Sequence, residues 1–381
     1  MLGLVVNPIA GVGGPAGLAG SDGAAVQRRA TELGAVPRAA ERALVALSVV
    51  AATRPGARVL TAAGPMGEHV VRAAGLDPVV VFHADAPTSA DDTSAATRAI
   101  ADAGASLVLF AGGDGTARDV AAAVATDVPA LGIPAGVKMY SPVFGVSPQA
   151  SGGLAAAWLA ADDGRGFPVR ELEVLDIDEE AMRHARVEPR RFGALAVPHR
   201  QGRTQARTAA TPAGEQAAVL DAARGAAAAM RPGVRYLLGP GGTMAALARE
   251  LGVAKTPLGV DVVLDGRVVR AAASEDDLLV EVRQGPAKAV VTVIGGQGFL
   301  VGRGNQQLSA RVLRALGDDP LIVVAPEQKL IDLGGRALLV DTGDADVDAA
   351  LAGYVRVITG PAATSIYPVH APEHEGEGHA P

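Results

Sequence analysis

The 381-residue sequence contains no cysteine, which excludes disulfides, thiolate metal sites and redox chemistry on protein thiols together. Aromatic residues supply only 3% of it, so the core must be built from Ala, Val and Leu through many small contacts. No run of about 20 apolar residues is free of Gly, Pro or polar interruption, and no membrane span is predicted. The opening MLGLVVNPIAGVGG lacks the basic segment and long apolar run of a secretory signal, so a cytoplasmic protein is expected. There is no excess of positive charge either. A net charge of −7 argues against binding a nucleic-acid backbone while leaving room for a local basic pocket that holds a nucleotide. Lysine occurs four times (Lys138, Lys255, Lys288, Lys329) and asparagine twice (Asn7, Asn305), a scarcity that reads as base-composition bias.

What is present describes a globular chain: 49% hydrophobic residues against 20% charged. The length exceeds the usual single core, so two domains are expected.

The stretch that organises the chain is Leu107–Ala117, LVLFAGGDGTA. Leu107 to Phe110 has the length and punctuation of a buried strand; it stops at Gly112-Gly113-Asp114-Gly115-Thr116, and an alanine-rich helix follows. Glycines let backbone approach a ligand closely, and amides opening the next helix can hold phosphate oxygens. Asp114 then lies at the carboxyl end of a strand, where open α/β sheets place their ligands. The same string also fits an ordinary turn.

A second glycine-rich turn, Asn7-Pro8-Ile9-Ala10-Gly11-Val12-Gly13-Gly14, follows the strand Gly3–Val6, and Gly17 to Gly23 with Asp22 keeps the segment open. Asn7 fits either a turn residue bonding its own backbone or a nucleotide contact. Helices over Ala39–Ala51, Met66–Ala74 and Thr88–Ala103 alternate with strands over Arg58–Thr61 and Val79–Phe82, the spacing of a parallel, doubly wound sheet. His83 and Asp85 close a strand and read as surface or hinge residues more readily than as ligands. Val128–Ile133 ends in a third turn carrying Lys138, which could neutralise transferring phosphate charge or simply solubilise the surface. Ser147–Ala161 reads as a helix linking to a second domain.

From Phe167 the pattern changes toward antiparallel strands, Glu171–Ile177 and Arg191–Pro198, with a charged face between them. Tyr236 to Met244, with Gly239, Gly241, Gly242 and Thr243, repeats strand, glycine turn and helix without a carboxylate. Asp261 closes a strand and is a candidate cofactor-binding residue, Asp265-Gly266 is a hairpin turn, and Gly295 to Gln307, including Gly296 and Asn305, is the most polar and glycine-rich stretch. Ser309–Leu316 is a short helix capped by Ser309. The expected organisation is an α/β nucleotide-binding domain over 1–150 and a β-rich second domain over 151–318. Strands over 319–365 are expected to return to the first domain, and a disordered tail occupies 366–381. His370, His374 and His379 near or in that tail offer at most weak metal contacts. Exposed edges of the β-rich domain predict self-association into a homo-oligomer.

Four strings now stand together: NPIAGVGG with GLAGSDG, GGDGT, GPGGT and IGGQGFLVGRGNQQ. In this order they resemble the ATP-NAD kinase family, within the NAD kinase and diacylglycerol kinase superfamily, and its branch of acetoin-catabolism proteins of the AcoX type. The resemblance covers Asn7 to Gln307. It implies an α/β domain followed by a β-rich domain, and transfer of a phosphoryl group from ATP, or polyphosphate, to the 2′-hydroxyl of the adenosine ribose of NAD. It carries the family's motif onto Gly112, Gly113, Asp114, Gly115 and Thr116, with Asp114 accepting the proton of the attacking hydroxyl or orienting it and the glycine amides holding phosphates. Asn7, Gly11, Gly13, Gly14 and Asp22 would close one wall. The loops carrying Gly241, Gly242, Thr243, Gly296 and Asn305 would approach from the second domain, Mg²⁺ would bridge the donor phosphates, and small-molecule nucleotides would be the partners. One departure stands out: the Asn-Glu or Asn-Asp pair that binds the dinucleotide in typical members has no counterpart, since no Asn occurs between Asn7 and Asn305. Val137 to Ser141 stands in the corresponding region. The sequence therefore also fits a kinase of another metabolite or lipid hydroxyl, or a dinucleotide-binding regulator without catalysis.

Overall fold

A computed structural model describes residues 1–12, 32, 36–136, 139–177, 189–200, 204 and 216–371, which divide into two compact units. The first carries a five-stranded sheet built from β1 (Leu2–Val6), β2 (Arg58–Ala62), β3 (Asp77–Phe82), β4 (Leu107–Gly112) and β5 (Ala130–Pro134), in the order β3-β2-β1-β4-β5. Every neighbouring pair is parallel. The helices are α1 (Ala39–Thr53), α2 (Glu68–Ala73), α3 (Ala90–Asp102), α4 (Asp114–Val124) and α5 (Pro148–Ala160). Strand order reverses direction between β1 and β4, the pattern of a doubly wound parallel sheet. Two helix starts follow from local chemistry: Ser89 and Asp92 form a reciprocal capping box on α3, and Ser147 accepts from the Ala150 amide to cap α5. β1 and β4 are buried along their whole lengths, as expected of central parallel strands without polar alternation.

β6 (Val169–Ile177) and β7 (Pro189–Pro198) pair antiparallel, as their alternation predicts. This hairpin belongs to the first unit, not to the second domain where the composition change places it. The reason is burial: Val174, Leu195 and Val197 join the same aliphatic core as β4 and β5, so the alternation reports one face packed on a parallel-sheet domain.

In the second unit one sheet of nine strands runs β10-β9-β8-β11-β13-β15-β16-β14-β12. Its strands are β8 (Arg235–Leu238), β9 (Val260–Leu264), β10 (Arg267–Ala273), β11 (Ala287–Val291), β12 (Phe299–Val301), β13 (Leu321–Val324), β14 (Leu338–Val340), β15 (Gly353–Gly360) and β16 (Ala363–His370). The helices are α6 (Gln216–Ala229), α7 (Gly242–Glu250), α8 (Glu275–Val282), α9 (Ala310–Leu316), α10 (Glu327–Ile331) and α11 (Ala345–Leu351). Ser309 caps α9 as predicted, and Asp265-Gly266, both at positive φ, make the β9–β10 turn. The unit is strand-rich, as expected, and its sheet is mixed, with central strands β8, β11, β13 and β15 parallel. One expectation is corrected. The strands beyond residue 319 complete this sheet and do not return to the first unit, because β13 and β15 insert beside β11 and bury Val323 and Val357 in the second core.

Candidate functional site

In the first unit the glycine-rich turns meet because of strand order. β1 and β4 are neighbours with Val6 opposite Ala111, and β4 and β5 are neighbours with Gly112 opposite Pro134, so three strands release their chain at one edge. The Asn7 amide donates to the Ala111 carbonyl at 3.1 Å, and the Ala135 and Gly136 amides donate to the Gly112 carbonyl at 2.9 and 3.0 Å. This edge is the switch point where an open α/β sheet offers its crevice.

Asn7 combines its two readings. Its Oδ1 accepts from the Ile9 amide at 3.2 Å, the turn reading, while its Nδ2 donates to the Thr116 hydroxyl at 3.0 Å and fixes the third residue of α4. Thr116 folds back over Gly112 so closely that a Cβ on Gly112 would stand 2.2 Å from Thr116 Oγ1 and 2.5 Å from its Cβ; only glycine fits. Gly113 is the N-cap of α4 and supplies no side-chain cap. The first-turn amides of Asp114, Gly115 and Thr116 therefore have no acceptor within the helix, the arrangement that receives phosphate oxygens.

Asp114 is the first residue of α4 and is buried. Its two oxygens are divided: Oδ2 accepts from the Tyr140 amide at 2.5 Å and Oδ1 from the Ser141 amide at 3.1 Å. Burial pushes its pKa up to about 7, outweighing the bonds from Ser141 and Tyr140 that favour the charged form, and the nearby Asp176 carboxylate adds to the rise. The Tyr140 phenol is pushed up to about 12 by burial and by the Asp114 charge. A carboxyl with an affinity for protons near neutrality can take a proton from a hydroxyl and return it within a catalytic cycle. Ser141 is itself locked, its Oγ donating to the Leu175 carbonyl at 2.8 Å and accepting from the Leu175 amide at 2.9 Å.

The second unit has its own set of loops at the carboxyl ends of parallel strands. After β8 the Gly239 to Gly242 turn passes through Gly241 at φ +108° and starts α7, with Gly241 and Gly242 exposed and Thr243 buried. Lys329 on α10, after β13, directs its ammonium to Thr243 Oγ1 at 3.4 Å and to the Val293 carbonyl at 3.5 Å. The Gly296 carbonyl accepts from Arg336 at 2.9 Å.

Two expected ligand residues are corrected. Asp261 is fully buried and its oxygens are taken by Lys255 Nζ at 3.2 Å, the Thr256 amide and hydroxyl at 2.7 and 2.8 Å, and the Ala272 amide at 2.7 Å. Burial alone would raise its pKa, but the Ala272 bond, the Lys255 charge and the Thr256 bonds outweigh it and hold the carboxyl below its usual range. Asn305 is buried too, its Nδ2 donating to the Leu300 carbonyl at 2.8 Å and its Oδ1 accepting from the Gly302 amide at 3.0 Å. Both side chains tie their own loops together and are structural. Gly13, Gly14, Asp22 and Lys138 lie outside the described residues, as do His374 and His379. Among the described residues no group of three or more His, Asp or Glu is placed to hold a metal ion, so no protein ligand is assigned to Mg²⁺. No helix among them is long and apolar enough to cross a membrane.

Sequence reasoning missed the groups that hold Asp114. The Tyr140 and Ser141 contacts are backbone amides, invisible to residue type. Arg118 was detectable, since it stands one helical turn after Asp114 on the same face, and it pairs with Asp176 at 3.1 Å. Lys329 was detectable only as one of four lysines.

A doubly wound sheet with an uncapped glycine turn and a buried carboxyl at its switch point defines a class of nucleotide-binding α/β proteins. The ATP-NAD kinase N-terminal domain matches residues 2–163 and the ATP-NAD kinase C-terminal domain matches residues 231–369. The chain belongs to the ATP-NAD kinase family and is an NAD kinase-like phosphotransferase. No curated protein and no solved structure gave a match.

Proposed function

We propose that the protein transfers the terminal phosphoryl group of ATP, or of polyphosphate, to the 2′-hydroxyl of NAD, giving NADP. The observation that carries this reading is Asp114: a buried carboxyl beside open helix-start amides, in a chain of this family. The first-turn amides of Asp114, Gly115 and Thr116 hold phosphate oxygens, and Asn7 keeps Thr116 in place for them. Asp114 accepts the proton as the ribose oxygen forms its bond to the γ-phosphorus. The bond from that phosphorus to the bridging oxygen breaks, the nucleoside diphosphate leaves with the electron pair, and Asp114 later returns its proton to solvent. Mg²⁺ arriving on the donor would neutralise phosphate charge. In the second unit Gly241, Gly242 and Thr243, with Lys329, form a second anion-friendly turn and Gly296 an adjacent loop that serve nucleotide binding. Gly11, at φ +82°, shapes the turn behind Asn7.

The test is NADP formation by the purified protein with Mg²⁺ and NAD, supplied in turn with ATP and polyphosphate, beside Asp114→Asn. Product from the native chain and a loss of about two to four orders of magnitude in the variant support the reading. A fully active Asp114→Asn enzyme removes the mechanism. The absence of asparagine between Asn7 and Asn305 favours a second reading, another hydroxyl acceptor at the same centre. ATP hydrolysis or binding without NADP directs the assay to other hydroxyl metabolites, and nucleotide binding with no product from any of them indicates a regulator.

A further inference from the structure

Asp114 lies inside a closed circuit of contacts. Its Oδ1 accepts from the Ser141 amide at 3.1 Å. The Ser141 hydroxyl grips both backbone groups of Leu175 at 2.8 and 2.9 Å. The next residue on β6, Asp176, pairs with Arg118 at 3.1 Å, and Arg118 lies one turn after Asp114 on α4. The circuit brings a second carboxylate, with a side chain only 13% exposed, to the same centre. Arg118 is fixed in turn, stacked at 5.6 Å over the Phe192 ring and 3.7 Å from Asp119.

We propose that Asp176 is a positioning residue of the Asp114 centre: anchored by Arg118, it keeps a second negative charge beside Asp114 and so sets the pH at which Asp114 becomes a base. The inference deepens the phosphotransferase reading and takes its catalytic meaning from it. Like charges that share a weakly screened site disfavour joint ionisation, so Asp176 holds the proton on Asp114. The rise in the Asp114 pKa has burial as its largest cause and Asp176 as a further one. The other charged or titratable groups around the centre are Tyr140 from the loop after β5, Arg118 and Asp119 from α4, Arg190 opposite Asp176 on β7, and Arg42 from α1, whose Nε donates to the Pro134 carbonyl. Of these, Arg118 pairs with Asp176 and Arg190 faces it across the β6–β7 ladder, so both cations screen it.

The test needs no substrate. The Tyr140 and Ser141 amides donate to Asp114, so their ¹⁵N and ¹H shifts follow its protonation in a pH titration of the full chain. The native protein should give a midpoint near neutrality that vanishes in Asp114→Asn. Asp176→Asn should lower the midpoint by about half a pH unit or more, Arg118→Gln should raise it, and Asp176→Glu should restore it. Opposite shifts from the two partners of one ion pair separate this role from a structural one, because simple loosening would hydrate Asp114 and lower the midpoint in both. An unchanged or higher midpoint in Asp176→Asn overturns the proposal, as does a titration that survives Asp114→Asn. Where NADP forms, the acid limb of kcat/KM should move with the midpoint. Where it does not, the phosphotransfer reading fails while the amide titration still decides the role of Asp176.

Discussion

Replacing Ser141 by alanine removes one hydroxyl and leaves two groups of Leu175 without a partner. Ser141 is fully buried and Leu175 nearly so, and the hydroxyl donates to the Leu175 carbonyl at 2.8 Å while accepting from its amide at 2.9 Å. The position is special because the β6–β7 register shifts between Val174 and Leu175, and a side chain from the loop after β5 serves the strand there. Each buried group left unsatisfied costs about 1–3 kcal/mol, so Ser141→Ala should cost about 2–6 kcal/mol. At about 2–4 °C per kcal/mol for a domain of this size, the melting transition of the first unit should fall by about 4–24 °C. Calorimetry or chemical denaturation at fixed pH, with the two units' transitions separated, measures it. The Ser141 amide still donates to Asp114, but the lost hydroxyl also favours the charged carboxylate, so the amide titration should persist at low temperature with its midpoint raised. A loss below about 0.5 kcal/mol would refute the latch, and with it the claim that β6 is fixed to the Asp114 loop.

Asp114 has a native pKa of about 7 against an ordinary 3.8, so it binds its proton more tightly folded than unfolded. Its stabilising contribution is fully present below pH 4 and is lost as pH rises through 7; stability of the first unit should decline by up to about 4 kcal/mol across that window, and the decline should be absent in Asp114→Asn. Gly112→Ala places a methyl 2.2 Å from Thr116 Oγ1 and should cost about 1–3 kcal/mol or more while displacing Thr116, read as a lower melting temperature and a weaker ATP dissociation constant. Asp261→Asn strands the buried Lys255 ammonium and should destabilise the second unit by about 3–5 kcal/mol; ATP affinity measured on the folded protein in the cold should be unchanged, since Asp261 has no free oxygen.

Much of this protein was determined by local sequence. Alternating strands and helices before residue 135, the Ser89, Ser147 and Ser309 caps and the Asp265-Gly266 turn are all consequences of neighbours in the chain. So was the open phosphate-type turn around Asp114, because glycine density and strand-to-helix order are readable residue by residue. What only the tertiary structure decided is who meets whom. Sequence puts Asp114 and Asp261 alike at a strand end beside glycine, yet Asp114 follows β4 at a switch-point crevice with a raised proton affinity, while Asp261 lies at the start of β9 and is consumed by Lys255, Thr256 and Ala272. The β6–β7 hairpin alternates like an exposed antiparallel domain and is buried on α4, and the strands after residue 319 complete the second sheet through pairings far apart in sequence. Such pairings depend on which apolar faces remain uncovered once the central strands have formed, and backbone amides such as those of Tyr140 and Ser141 carry no side-chain signal at all. The chemistry of Asp114 is therefore written in its motif, while its proton affinity is set by residues the fold brings to it.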